Sequence, residues 1–136
     1  MPAPPAPDPS PDAFAAAASN RPESISAVTL GVADMARSVG FYEALGFRRL
    51  FGGPGERFTS YAVGESYLNL TTEAAPVGWW GRMIFHVPDV DRFHANAVAA
   101  GLSPQFPPRD APWGERYFHL LDPDGHELSF ARPLDR

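Results

Sequence analysis

Residues 27–47 read AVTLGVADMARSVGFYEALGF, and residues 82–102 read RMIFHVPDVDRFHANAVAAGL. At a constant offset of 55 residues, Val32-Ala33-Asp34 falls on Val87-Pro88-Asp89, Arg37 on Arg92, and Gly46-Phe47 on Gly101-Leu102. Each copy reads as a strand, an acidic helix start, a short helix and a glycine stop. Residues 26–32 alternate and carry β-branched side chains, which predicts a strand. Asp34 suits an N-cap, because its carboxylate accepts backbone N–H groups that the first turn leaves free. Met35, Val39, Tyr42 and Leu45 then recur at helical spacing and define a stripe to bury. Gly46 supplies the left-handed residue that closes the helix. In the second copy residues 82–87 are the strand, Asp89 the cap, Val90, Phe93, Ala97 and Val98 the stripe, and Gly101 the stop.

Strand candidates follow each helix. The first copy offers residues 47–51, 58–63 and 66–71. The second offers a poor, proline-broken strand near 103–107, then 115–121 and 127–131. Asp122-Pro123-Asp124-Gly125 suits a tight turn, with proline fixing φ and glycine accepting a positive one. The reading is an α+β fold of two tandem βαβββ modules, about 24–72 and 80–132. They form a curved, partly closed mixed sheet with helices outside, because one module alone would leave a sheet face bare. Both lie in one domain, residues 23–136. Residues 1–22 hold seven of the 16 prolines and an alanine run, too little apolar surface to offset ordering, and read as a disordered tail.

These residues carry a resemblance. The opening segment 27–47, and the closing segment 113–130 (WGERYFHLLDPDGHELSF), are similar to the first and last elements of the vicinal oxygen chelate superfamily. That superfamily groups glyoxalases, bleomycin-resistance proteins and extradiol dioxygenases. The resemblance implies the fold just described. It also implies four inner-face positions that in catalytic relatives hold His or Glu around a divalent metal acting as a Lewis acid. Transferred one at a time, those positions fall on Ala27, Asn69, Arg82 and Ser129. Alanine has no donor, arginine is a permanent cation, and amide and hydroxyl oxygens are weak ligands. The resemblance therefore points to a metal-free branch, with no cofactor expected.

A non-standard site from His86, His119 and Glu127 is the other possibility. Strand alternation, with Leu120 opposite Leu128 and Phe118 opposite Phe130, puts Glu115, Tyr117, His119, Glu127 and Ser129 on the inner face. The same residues equally suit a polar cavity with no metal. His94, on the solvent side of its helix, and His126, in a turn, read as surface residues. Thr29, Asn69, Arg82, His86, Tyr117, His119 and Ser129 would floor the cavity. Trp79 and Trp80 would rim it, or pack in a dimer interface; Trp113 reads as packing. Arg82 either recognises an anion or forms an internal salt bridge with Glu127 or Glu115.

Composition narrows the partners. There is no cysteine, so no disulfide, thiolate ligand or thiol nucleophile. All 11 basic residues are arginine, which excludes lysine Schiff bases and a phosphate-loop lysine. A net charge of −5 disfavours nucleic acid. No run approaches the length of a membrane span and no signal peptide is visible, so a cytoplasmic location is expected. Two functions stand. One is a small-molecule binding protein holding an aromatic or anionic compound, as in bleomycin resistance, a form of antibiotic resistance; the resemblance implies a homodimer. The other is a lyase, isomerase or oxygenase in which His119 or His86 moves a proton and Arg82 stabilises an oxyanion.

Overall fold

The computed structural model describes residues 21–74 and 78–135. The proposed tail lies almost entirely outside these residues. Among the described residues, two helices and eight strands follow the duplicated order. The first module is β1 (Ala27–Gly31), α1 (Met35–Ala44), β2 (Arg48–Phe51), β3 (Phe58–Val63) and β4 (Ser66–Thr71). The second is β5 (Arg82–His86), α2 (Val90–Ala99), β6 (Arg109–Ala111), β7 (Glu115–Leu121) and β8 (Glu127–Pro133).

The two copies are built by the same local chemistry. Asp34 and Asp89 cap their helices by accepting from the Arg37 and Arg92 amides at 3.1 and 3.0 Å. Each helix ends with the amide of the residue after the glycine bonding back five residues, Phe47 to Tyr42 and Leu102 to Ala97. Gly46 and Gly101 stand at φ 89° and 86° there, a conformation that costs a side-chain-bearing residue energy.

Each module forms its own four-stranded mixed sheet, in the orders β1-β4-β3-β2 and β5-β8-β7-β6. In both, the first strand runs parallel to the last and the others are antiparallel. The curved sheet is thus divided at a seam between edge strands β1 and β5, and no closed barrel forms. The expected β7–β8 register holds, with Phe118 opposite Phe130 and Leu120 opposite Leu128.

The proline-broken segment at 103–107 forms no strand; the short β6 lies instead at Arg109–Ala111. Pro104, Pro107 and Pro108 lack the N–H that a ladder needs, so the segment makes an isolated bond from the Gln105 amide to the His119 carbonyl at 2.9 Å, and a continuous strand begins only after the last of them. Val98 also departs from expectation. It is 52% exposed, and Val90 and Ala97 carry the buried side of α2 with Phe93 packed against them.

One apolar core spans both modules. Leu30, Tyr61, Leu68 and Leu70 come from the first sheet, and Phe118, Leu120, Leu128 and Phe130 from the second. Phe47 meets Phe85 edge-on at 5.3 Å across the seam. The turn between β7 and β8 adds a polar clamp. Asp124 accepts from the Ala33 amide at 3.0 Å, the Arg37 guanidinium at 3.1 Å and the Ser38 hydroxyl at 3.2 Å. Asp122 accepts from the buried Tyr42 hydroxyl at 2.7 Å. Burial and that carboxylate push the Tyr42 phenol well above its ordinary pKa, so it stays a donor. The position related to Ala33 by the duplication is Pro88, which has no N–H to donate. At that end of the seam lies a cavity of about 190 Å³ between Val63 and Val87.

Candidate functional site

Alternation fixes which side chains face away from the helices. Val28, Leu68, Met83 and Leu128 pack on the core, so Ala27, Asn69, Arg82 and Ser129 lie on the opposite, open faces of their sheets. The two open faces differ in character. On the first module, the Asn69 amide donates to the Thr29 hydroxyl at 3.2 Å, and Ser60 stands beside Asn69 in the ladder. No charged side chain lies on these three strands' central positions.

The charge is on the second module. Arg82 donates to Glu127 through Nε and Nη2, both at 2.7 Å. The Trp79 indole donates to the same oxygen at 3.2 Å. Of the two readings of Arg82, the internal salt bridge is the one formed. His119 approaches the other Glu127 oxygen at 3.8 Å, beyond hydrogen-bond length. His86 stands 3.5 Å from Glu115, whose other oxygen accepts from the Trp113 indole at 3.2 Å. Ser129 is buried between its ladder neighbours Ile84 and His119.

Desolvation opposes the Glu127 charge, but hydrogen bonds from Trp79 and Arg82 outweigh it and hold its carboxyl below the usual range. His119 is shifted down, first by burial and then by Arg82, with Arg109 adding to the effect against the pull of Glu127. Its imidazole is therefore neutral at neutral pH. As pH falls below about 6.5, the unfolded chain takes up this proton before the folded one does. Stability is then lost until the lower folded pKa is passed. Glu127 acts with the same sign at more acidic pH, because its carboxylate contributes stability that protonation removes. Urea midpoints measured across mildly acidic pH should fall with pH in the natural chain and fall less steeply in His119→Gln. Equal slopes would show that His119 is not the responsible group.

Other side chains take places that local sequence did not disclose. His126 is only 4% exposed and is not a surface residue. Trp80 donates to its Nδ1 at 2.7 Å, and its Nε2 lies 2.8 Å from the Gly31 carbonyl. Because an indole can only donate, Nδ1 is the acceptor and Nε2 carries the proton. Trp80, at the second module's entrance, is thereby fastened to β1 of the first. His94 is half-buried and edge-on to Phe118 at 5.0 Å, not free in solvent. Phe106 lies against both Tyr117 and His119, at 5.5 and 5.1 Å between ring centres. Arg109 covers Phe106. Neither Phe106 nor Arg109 was singled out by the sequence.

A cleft of about 560 Å³ follows the seam, with Ala27 and Tyr67 on one wall and Trp80, Arg82 and Ile84 on the other. Trp80 and Arg82 are the candidate residues that line it. Thr29 and Asn69 stay on one open face, and His86, Tyr117, His119 and Ser129 on the other.

Neither possible metal set fits. Ala27, Asn69, Arg82 and Ser129 offer no anionic or imidazole donor. Among the described residues no group of three or more His, Cys, Asp or Glu side chains is placed to hold a metal ion. His119 and Glu127 make only a pair, and His86 faces Glu115 instead. No helix among the described residues is long and apolar enough to cross a membrane.

The family model described as Glyoxalase/Bleomycin resistance protein/Dioxygenase superfamily matches residues 24–130, and the chain belongs to this superfamily. Among solved structures, TioX from Micromonospora sp. ML1 is similar at 29% identity and TM-score 0.67, over 82% of this chain and all of that one. A lactoylglutathione lyase from Agrobacterium tumefaciens shares the fold at 20% identity and TM-score 0.69, over 82% and 94% of the two chains. A superfamily member from Sphaerobacter thermophilus DSM 20745 does so at 24% and 0.67, over 80% and 96%. No curated protein matches the chain.

Proposed function

We propose that this protein is a metal-independent binding protein for a small aromatic or anionic compound, of the bleomycin-resistance kind. The observation that carries the reading is the identity of the four open-face residues. Where a catalytic relative would need metal ligands, this chain has Ala27, Asn69 and Ser129, and an Arg82 already committed to Glu127. A floor of neutral donors and acceptors, with aromatic walls at Trp80 and Tyr67, suits recognition of a planar molecule. Ile84, 59% exposed at the centre of its strand, is consistent with the open face being covered by a second copy in a homodimer. Such a pocket would draw on Thr29, Asn69, Trp79, Trp80, Arg82, His86, Tyr117, His119 and Ser129.

Calorimetric titration with Ni²⁺, Mn²⁺, Zn²⁺ and Fe²⁺ tests this reading. No stoichiometric uptake is expected; tight binding of one ion per chain would reject it. A panel of planar compounds should quench tryptophan emission. An enzymatic reading rests on His119, whose neutral imidazole is in the state a general base requires. It predicts turnover that His119→Gln lowers to a far greater extent than any accompanying loss of affinity.

A further inference from the structure

We propose that Arg109, seated on Phe106 and tied to Tyr117, is a carboxylate-recognition residue of the second module's open face, and that it selects a planar aromatic acid. The inference rests on the binding-protein reading and names the class of compound that reading leaves open.

Three observations converge on it. The Arg109 guanidinium carbon lies 3.8 Å from the centre of the Phe106 ring, and its Nε donates to the Tyr117 hydroxyl at 3.1 Å. Stacking and a hydrogen bond together restrain the plane of a side chain that is otherwise rich in rotamers, which lowers the cost of engaging a ligand. The two Nη groups, by contrast, have no hydrogen-bond or carboxylate partner among the described residues. They are the pair of parallel donors that a carboxylate accepts in bidentate fashion.

The surrounding carboxylates are already engaged. Glu127 holds Arg82, Glu115 accepts from Trp113 and faces His86, and Asp110 takes Arg116. Arg109 is thus the cation left without a counter-charge beside Tyr117 and His119. Phe106, Tyr117 and His119 stand within 5.5 Å of one another. Tyr117 is itself buried, so the partly exposed Phe106 and His119 supply the aromatic surface beside the guanidinium, where an aryl group attached to a carboxylate would lie.

The test uses the full chain, labelled with ¹⁵N, and two probes of similar shape, 2-naphthoate and 2-naphthamide. Naphthoate should move the Arg109 Nε–H resonance and the His119 ring signals, and should bind at least about tenfold tighter than naphthamide. Arg109→Gln should erase that preference while its near-ultraviolet circular dichroism stays native. Phe106→Leu, which keeps the charge and removes the platform, should weaken naphthoate several-fold. The proposal is overturned if naphthoate perturbs Arg82 and leaves Arg109 unmoved. It is also overturned if Arg109→Gln retains the preference, or if neither probe binds at millimolar concentration. The wider reading falls on different results: stoichiometric metal uptake, or no tryptophan response to the whole panel. Each failure can therefore be recognised separately.

Discussion

Asp122→Ala should lower stability by about 3 kcal/mol, measured as a shift of the urea midpoint at neutral pH. The carboxylate accepts from the Tyr42 hydroxyl at 2.7 Å and from the amides of Asp124 and His126, each at 2.9 Å. Removing it strands a fully buried phenol hydroxyl and two turn amides, and an unmet buried donor costs more than the net worth of its bond. Tyr42→Phe in the same background should recover part of the loss, because the stranded hydroxyl is gone. A loss below about 1 kcal/mol, or no recovery in the double variant, would mean that the Tyr42–Asp122 bond does not help to hold the modules together.

Phe130→Ala should cost about 3–5 kcal/mol, the range for truncating a large core aromatic. Its ring meets Phe93 at 4.4 Å and both Phe85 and Phe118 at 5.5 Å. Through Phe85 the packing reaches Phe47 of the first module, so the cavity would open at the centre of the shared core. Against a total of about 5–15 kcal/mol for a domain, the variant should populate unfolded chain well below the natural melting temperature. Leu121→Ala is the matched control, since that strand residue is 45% exposed and should change little. Comparable losses in both would show that the cluster does not carry the packing assigned to it.

The elements that could be read from sequence were those fixed by short-range chemistry. The Asp34 and Asp89 caps act over three residues, and Gly46 and Gly101 act within one turn. The β7–β8 register follows from keeping Leu128 and Phe130 on one face. What escaped depends on distant partners. His126 owes its burial to Trp80 and to the Gly31 carbonyl, 46 and 95 residues away. A histidine after Asp-Pro-Asp-Gly gives no local sign of that. Arg109 and Phe106 were missed because a proline-rich segment reads as featureless until its side chains are placed on Tyr117 and His119. The Arg82 alternatives could be stated from sequence, but choosing between them needed the position of Glu127.

Duplication gave the two halves one plan, yet only one end of their junction is latched. The Ala33 amide donates to Asp124; its twin, Pro88, has no N–H to donate, and an open cavity lined by Val63 and Val87 lies at that end. The halves should accordingly behave like a book bound along one corner, parting first where Val63 meets Val87. A guest entering the seam would then widen it from the unlatched corner while the fastened one served as pivot.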